Sequence, residues 1–100
     1  MNIQLEDAKK SLEYLEVIRT SLAKIGSHSD DSDEVARILY RFTVDYNVFN
    51  KISYIWRVFL NQLSEEIDDT QIDDFFEKIK YWEVPKRTSK DDLGNLIKNI

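Results

Sequence analysis

The sequence predicts an all-α fold, a single domain of four to five helices over residues 1–100, and three observations carry that prediction. Apolar residues recur at spacings of three and four through most of the chain, the pattern of amphipathic helices. The stretches between them are rich in residues that cap helices. Glycine occurs only at positions 26 and 94 and proline only at 85, with no Asn-Gly or Asp-Gly pair to turn a β-hairpin.

The first helix is expected over about residues 3–25, with Leu5, Ala8, Leu12, Leu15, Ile18, Leu22 and Ile25 inward and Gly26 as its C-cap. Ser27 to Glu34 reads as a polar loop, and Asp31 with Glu34 forms the pattern of a capping box. From Val35 an apolar stripe runs through Ile38, Leu39, Phe42, Tyr46, Phe49, Ile52, Trp56, Leu60, Leu63 and Ile67 without losing phase. One helix of that span would be about 50 Å long, too long for a compact domain of this size. A break is expected between Asn47 and Lys51, where Asn tolerates the left-handed conformation and Asn50 can cap the next helix. This gives helices over about 33–49 and 51–66.

A second apolar strip, Tyr40, Val44, Val48, Ile55 and Val58, lies opposite the first on a helical wheel. A helix apolar on two sides is either central or offers one side to a partner. Residues 42–60 also alternate in the manner of a strand pair, but the helical phase continues on both sides of them, which favours helices. Thr70 or Asp69 is expected to cap a helix over about 70–82, with Ile72, Phe75, Phe76, Ile79 and Trp82 inward and Val84-Pro85 as its stop. A short last helix is expected over about 90–99, with Leu93, Leu96, Ile97 and Ile100 on one face. Aromatic residues of the second, third and fourth helices should dominate the core.

Chemistry is constrained mainly by what is missing. There is no cysteine and one histidine, His28, in a polar loop beside Asp30, Asp31 and Asp33, whose spacing does not match an EF-hand. No glycine-rich phosphate loop and no nucleophile-base set can be assembled, so the chain is expected not to be an enzyme and to need no metal or cofactor. Glu13 with Glu16, and Glu65 with Asp68, have the spacing of the paired carboxylates that hold Mg²⁺ in all-helical nucleotide pyrophosphatases. A whole further helix separates the two pairs, which leaves such an enzyme a minor alternative. The N-terminus lacks the basic and apolar regions of a signal peptide, and no apolar run approaches the roughly 20 residues of a membrane span, so a cytoplasmic location is expected.

Charge is segregated. The net charge is -5, but residues 64–77 carry seven carboxylates and no cation, residues 27–34 carry four, and residues 78–90 are basic overall. This acidity argues against a nucleic-acid binder and points to a basic protein partner. Asp68, Asp69, Asp73 and Asp74 sit where a helix N-terminus favours negative charge. Glu65 and Glu66 close a helix instead, where its dipole disfavours them, with no Lys or Arg three or four residues away. Glu65, Glu66, Asp68, Asp69, Asp73 and Asp74, with Asp30, Asp31, Asp33 and Glu34, are therefore the candidate partner-binding residues.

The chain resembles, in size, acidity and helical character but in no residue motif, the compact immunity proteins that bacteria use against nuclease toxins. The resemblance implies an inhibitor or antitoxin acting on a basic toxin. The alternative expectation is a structural or adaptor subunit that self-associates through Tyr40, Val44, Tyr54, Ile55 and Val58. Composition alone does not fix the oligomeric state.

Overall fold

The computed structural model describes residues 3–86. They form four helices and no strand: α1 Leu5–Gly26, α2 Ser32–Asp45, α3 Val48–Glu66 and α4 Asp69–Glu77. The expected helix over 90–99 lies outside the described residues. Residues 42–60 are helical on both sides of one break, so the strand-pair alternative is removed.

The break is Asn47, the one non-glycine residue with positive φ among the described residues (φ 53°, ψ 52°). Its amide donates to Val44 O at 3.1 Å, ending α2, and its carbonyl accepts from Lys51 N at 3.3 Å, starting α3. A single left-handed residue bends the chain without reversing it. Asn50 lies inside α3 and caps nothing, because one residue suffices for the pivot.

α1 runs antiparallel to α2 and α3 in succession. Its C-terminal half meets α2, where Ile25 and Val35 are buried and Ile38, Leu39 and Phe42 pack against them. Its N-terminal half meets α3, where the Tyr54 hydroxyl donates to Asp7 Oδ1 at 2.9 Å and the Tyr14 and Tyr54 rings meet edge to face at 5.6 Å. α4 doubles back along the other side of α3, bringing Phe76 to 6.5 Å from Trp56 between ring centres. α3 is therefore the middle layer, with α1 on one side and α4 on the other.

This arrangement is open. Extents of 47 × 31 × 20 Å and a radius of gyration of 16.8 Å exceed the roughly 13 Å of a compact 100-residue domain. Ile18, Ile25, Val35 and Ile72 are the buried apolar side chains among the described residues; no aromatic side chain is buried with them, although the half-buried Phe42 packs against Ile25 and Val35. The expected aromatic core is thus corrected: Phe49, Trp56, Phe59 and Phe75 are between 45 and 76% exposed. A helical hairpin with one short helix added buries one face of most helices, and rings on the other faces stay wet.

Which face turns inward also differs from expectation. On α1 the inward line is Ser11, Ile18 and Ile25, buried, with Asp7 and Tyr14 half-buried beside them, while Leu5, Leu12 and Leu15 are exposed. On α3 the side facing α1 carries Lys51, Tyr54, Val58 and Gln62, so of the supposed surplus strip Val58 is packed there, Val48 and Ile55 are half-buried and Tyr40 and Val44 stay exposed, while Phe49 and Ile52 are left outside. Polar anchoring explains the rotation. Tyr54–Asp7 and the Lys51 ammonium, 5.5 Å from the Tyr14 ring and 4.0 Å from the Tyr46 ring, fix how α1 and α3 meet.

The helix ends are corrected in detail. Gly26 is the last helical residue and is not left-handed; Ser27 follows it and its hydroxyl donates to Ala23 O and Lys24 O at 3.1 and 3.3 Å. Asp31 caps α2 by accepting from Asp33 N at 3.0 Å, while Glu34 turns to His28 Nε2 at 3.6 Å, where a capping box would turn it back to Asp31. Asp68, not Asp69 or Thr70, caps α4 in a complete capping box with Gln71. α4 ends at Glu77, five residues short of Trp82, with Lys78 N and Ile79 N bonded three residues back. Beyond it Tyr81 and Trp82 are 72 and 76% exposed; no helix face is buried there to offset the entropy of fixing more backbone.

Candidate functional site

The most distinctive surface is the corner where α3 gives way to α4. α3 closes on Glu65 and Glu66 with no basic residue in its last turn. Its final carbonyls add partial negative charge to those carboxylates. Gln62, buried on the α1 side, donates from Nε2 to Glu66 Oε1 at 3.2 Å and so holds that side chain. Ile67 then extends the chain, and Asp68 reverses it by accepting from Gln71 N at 2.8 Å. The same carboxylate cannot then swing freely into a partner.

Glu65, Glu66, Asp68, Asp69, Asp73 and Asp74 are all exposed. None of them makes an ion pair among the described residues, in contrast to Glu16, which pairs with Arg19, and Asp45, which pairs with Arg41. Their negative charge is therefore displayed rather than neutralised. Asp30, Asp31, Asp33 and Glu34 are not part of this corner. They lie beyond the opposite end of α1, about 30 Å away along its axis, and Asp31 and Glu34 are engaged in capping and in the contact with His28.

Beside the corner runs an apolar groove of ≈ 460 Å³ between α3 and α4, lined by Trp56, Phe59, Leu60, Leu63, Ile67, Phe75 and Phe76, with Glu66 and Gln62 at its edge. The helical phase explains it: Trp56, Phe59, Leu60, Leu63 and Ile67 occupy the side of α3 turned away from α1. α4 is too short to cover them. Trp56 is 51% exposed, Phe59 45% and Phe75 54%. Phe59 belongs to neither strip recognised in the sequence, and the groove as a whole was hidden because it depends on where α4 lands.

A second cleft, ≈ 450 Å³, lies on the opposite side of α3 against the start of α1 and is polar, lined by Gln4, Asp7, Tyr54, Arg57, Asn61 and Glu65 among others. Asp7 is occupied by the Tyr54 hydroxyl, which raises the Tyr54 pKa, burial adding to the effect. Tyr46 is raised too, first by burial and then by Glu13. The paired carboxylates do not converge: Glu16 accepts from Thr20 and Arg19, which lower its pKa, while Glu65 stands at the far cleft. Among the described residues no three His, Asp or Glu side chains gather as a metal set.

The apolar candidates divide. Tyr40 and Val44 on α2 are 73 and 58% exposed, whereas Tyr54, Ile55 and Val58 are half-buried on α3. No described helix is long and apolar enough to cross a membrane. Compared with protein families, curated proteins and solved structures, the chain matches none.

Proposed function

We propose that this chain is a non-enzymatic binding protein that recognises a basic protein partner through the acidic α3–α4 corner, in the manner of an inhibitor or immunity protein acting in the cytoplasm. The observation that carries the reading is the set of six exposed carboxylates there, none ion-paired among the described residues. Helix capping accounts for Asp68, and the N-terminal dipole of α4 favours Asp69. Glu65 and Glu66 sit at the wrong end of α3 for that benefit, and an opposite charge supplied from outside removes their local cost. Complementary charge of this kind speeds encounter and favours the right partner over others.

The corner, rather than the α1–α2 loop, is the contact, since the loop carboxylates stand about 30 Å off along α1. Self-association through Tyr40 and Val44 is the weaker reading, because Tyr54, Ile55 and Val58 are half-buried and do not extend that exposed patch in full. The test is to capture the partner at low salt, purify it, and compare its affinity for the native chain and for Glu65→Lys with Glu66→Lys. The double variant should keep its helical circular dichroism and bind about tenfold or more weakly, with a shallower dependence on salt. Unchanged affinity at low salt in the folded variant would remove the acidic corner from the interface.

A further inference from the structure

We infer that the α3–α4 groove receives one amphipathic helix of the partner, apolar on the side that enters and rich in Lys or Arg along its margins. This rests on the basic-partner reading and adds the element recognised. Two separate features of the groove specify that occupant.

The first is shape and polarity. Trp56 to Ile67 spans about 16 Å of α3, and the floor along it is aliphatic and aromatic throughout: Leu60, Leu63 and Ile67 below, Trp56, Phe59 and Phe75 half-exposed at the sides. Apolar anchors at i, i+3, i+4 and i+7 of a docked helix span about 10 Å, within that length. Exposed aromatics around a desolvated centre are the usual anchors of such an interface.

The second is charge. Both walls belong to the segment from Trp56 to Phe76, in which Arg57 is the single cation against six carboxylates. Arg57 and Glu65 both line the polar cleft on the other side of α3, which leaves five carboxylates and no cation in the rest of that segment. Glu66 stands at the edge itself, with the C-terminal end of α3 behind it. A second copy of this chain docked two-fold on the groove would set Glu66 and its acidic neighbours against their own counterparts, which is repulsive. A basic helix meets opposite charge instead.

The probe is a synthetic peptide of about 14 residues, four helical turns, built from Leu and Lys with leucines at helical spacing. Its controls are a Leu/Glu peptide of the same spacing and a Leu/Lys peptide of the same composition with leucines at alternate positions. Trp56 fluorescence reports binding in the full chain carrying Trp82→Phe, since Trp82 lies outside the groove. The helical Leu/Lys peptide should shift Trp56 emission to shorter wavelength saturably and bind about tenfold or more tightly than either control. Phe75→Ala and Phe59→Ala, each checked by circular dichroism, should each weaken it about tenfold.

Equal binding of the Leu/Glu peptide, equal binding of the alternating peptide, or no binding at all overturns the inference. So does a dimer in sedimentation whose Trp56 is shielded without peptide. Leu93, Leu96, Ile97 and Ile100 of this chain have helical spacing of their own; if Leu96→Asp with Ile97→Asp in the full chain raises peptide affinity tenfold, the chain's own segment is the occupant and the inference fails. A natural partner sensitive to Glu65→Lys with Glu66→Lys but indifferent to Phe75→Ala defeats the groove and leaves the basic-partner reading standing. Sensitivity to Phe75→Ala alone defeats the charge reading.

Discussion

Lys51 and Tyr54, one turn apart on α3, tie three helices together. The Lys51 ammonium donates to the carbonyl of Tyr46, the residue after α2, while lying over the Tyr46 and Tyr14 rings. A cation there complements the C-terminal end of α2 and the faces of both rings. Tyr54 adds the hydroxyl bond to Asp7 on α1. That bond needs the phenol proton, and it raises the Tyr54 pKa above the ordinary tyrosine value. The stabilisation it gives is present below the ordinary value and is lost as pH rises through the raised one. Tyr54→Phe should therefore melt below the native chain at neutral pH, and the two melting temperatures should converge in alkaline solution. A constant gap across that pH range would mean that the hydroxyl bond contributes nothing.

Asn47 decides how α2 and α3 relate, and it does so as one residue with positive φ. A β-branched residue at that position has to bear the steric cost of the left-handed conformation. Asn47→Val should cost about 1–2 kcal/mol, whereas Asn47→Gly should leave stability within a few tenths of a kcal/mol, both read by chemical denaturation. If valine is tolerated, the bend is not imposed at this residue. α4 depends on its ends in a different way. Nine residues are too few to be stable alone. The Asp68–Gln71 capping box, the burial of Ile72 and the contact of Phe76 with Trp56 hold it.

At the scale of the molecule the layers differ in how firmly they are held. α1 and α2 carry the buried Ile18, Ile25 and Val35, and the Lys51–Tyr54 ties join the first half of α3 to them, while α4 lies on α3 as an outer layer. Local opening of α4 should thus precede global unfolding. Asp68→Ala should remove about 1 kcal/mol of amide-exchange protection from α4 and leave α1 and α2 protection unchanged. Equal losses in all four helices would show one cooperative unit.

Helix existence was legible in the chain itself because a 3.6-residue period is a local property: each of the four helices lies where the spacing of apolar residues places one, and the break falls at Asn47 within the span expected. Asp31 as a cap and the closing of α3 at Glu66 were legible for the same reason, being decided by residues within one turn. The end of α4 was not, since the apolar period runs on to Trp82 while no surface there receives it. Nor was the groove, because Phe59 and Phe75 become its walls only when α4 doubles back.

The sequence by itself therefore determined the helices, the pivot between the second and third, and the acidic stretch after the third. Only the tertiary structure decided which of two apolar faces on α3 meets α1, that the two acidic clusters stand at opposite ends of the molecule, and that an uncovered aromatic groove adjoins one of them. Periodicity tells that a helix has an apolar side. Where two sides are apolar, contacts between distant residues such as Tyr54 with Asp7 and Lys51 with Tyr14 choose between them, and neither contact leaves a mark on local spacing.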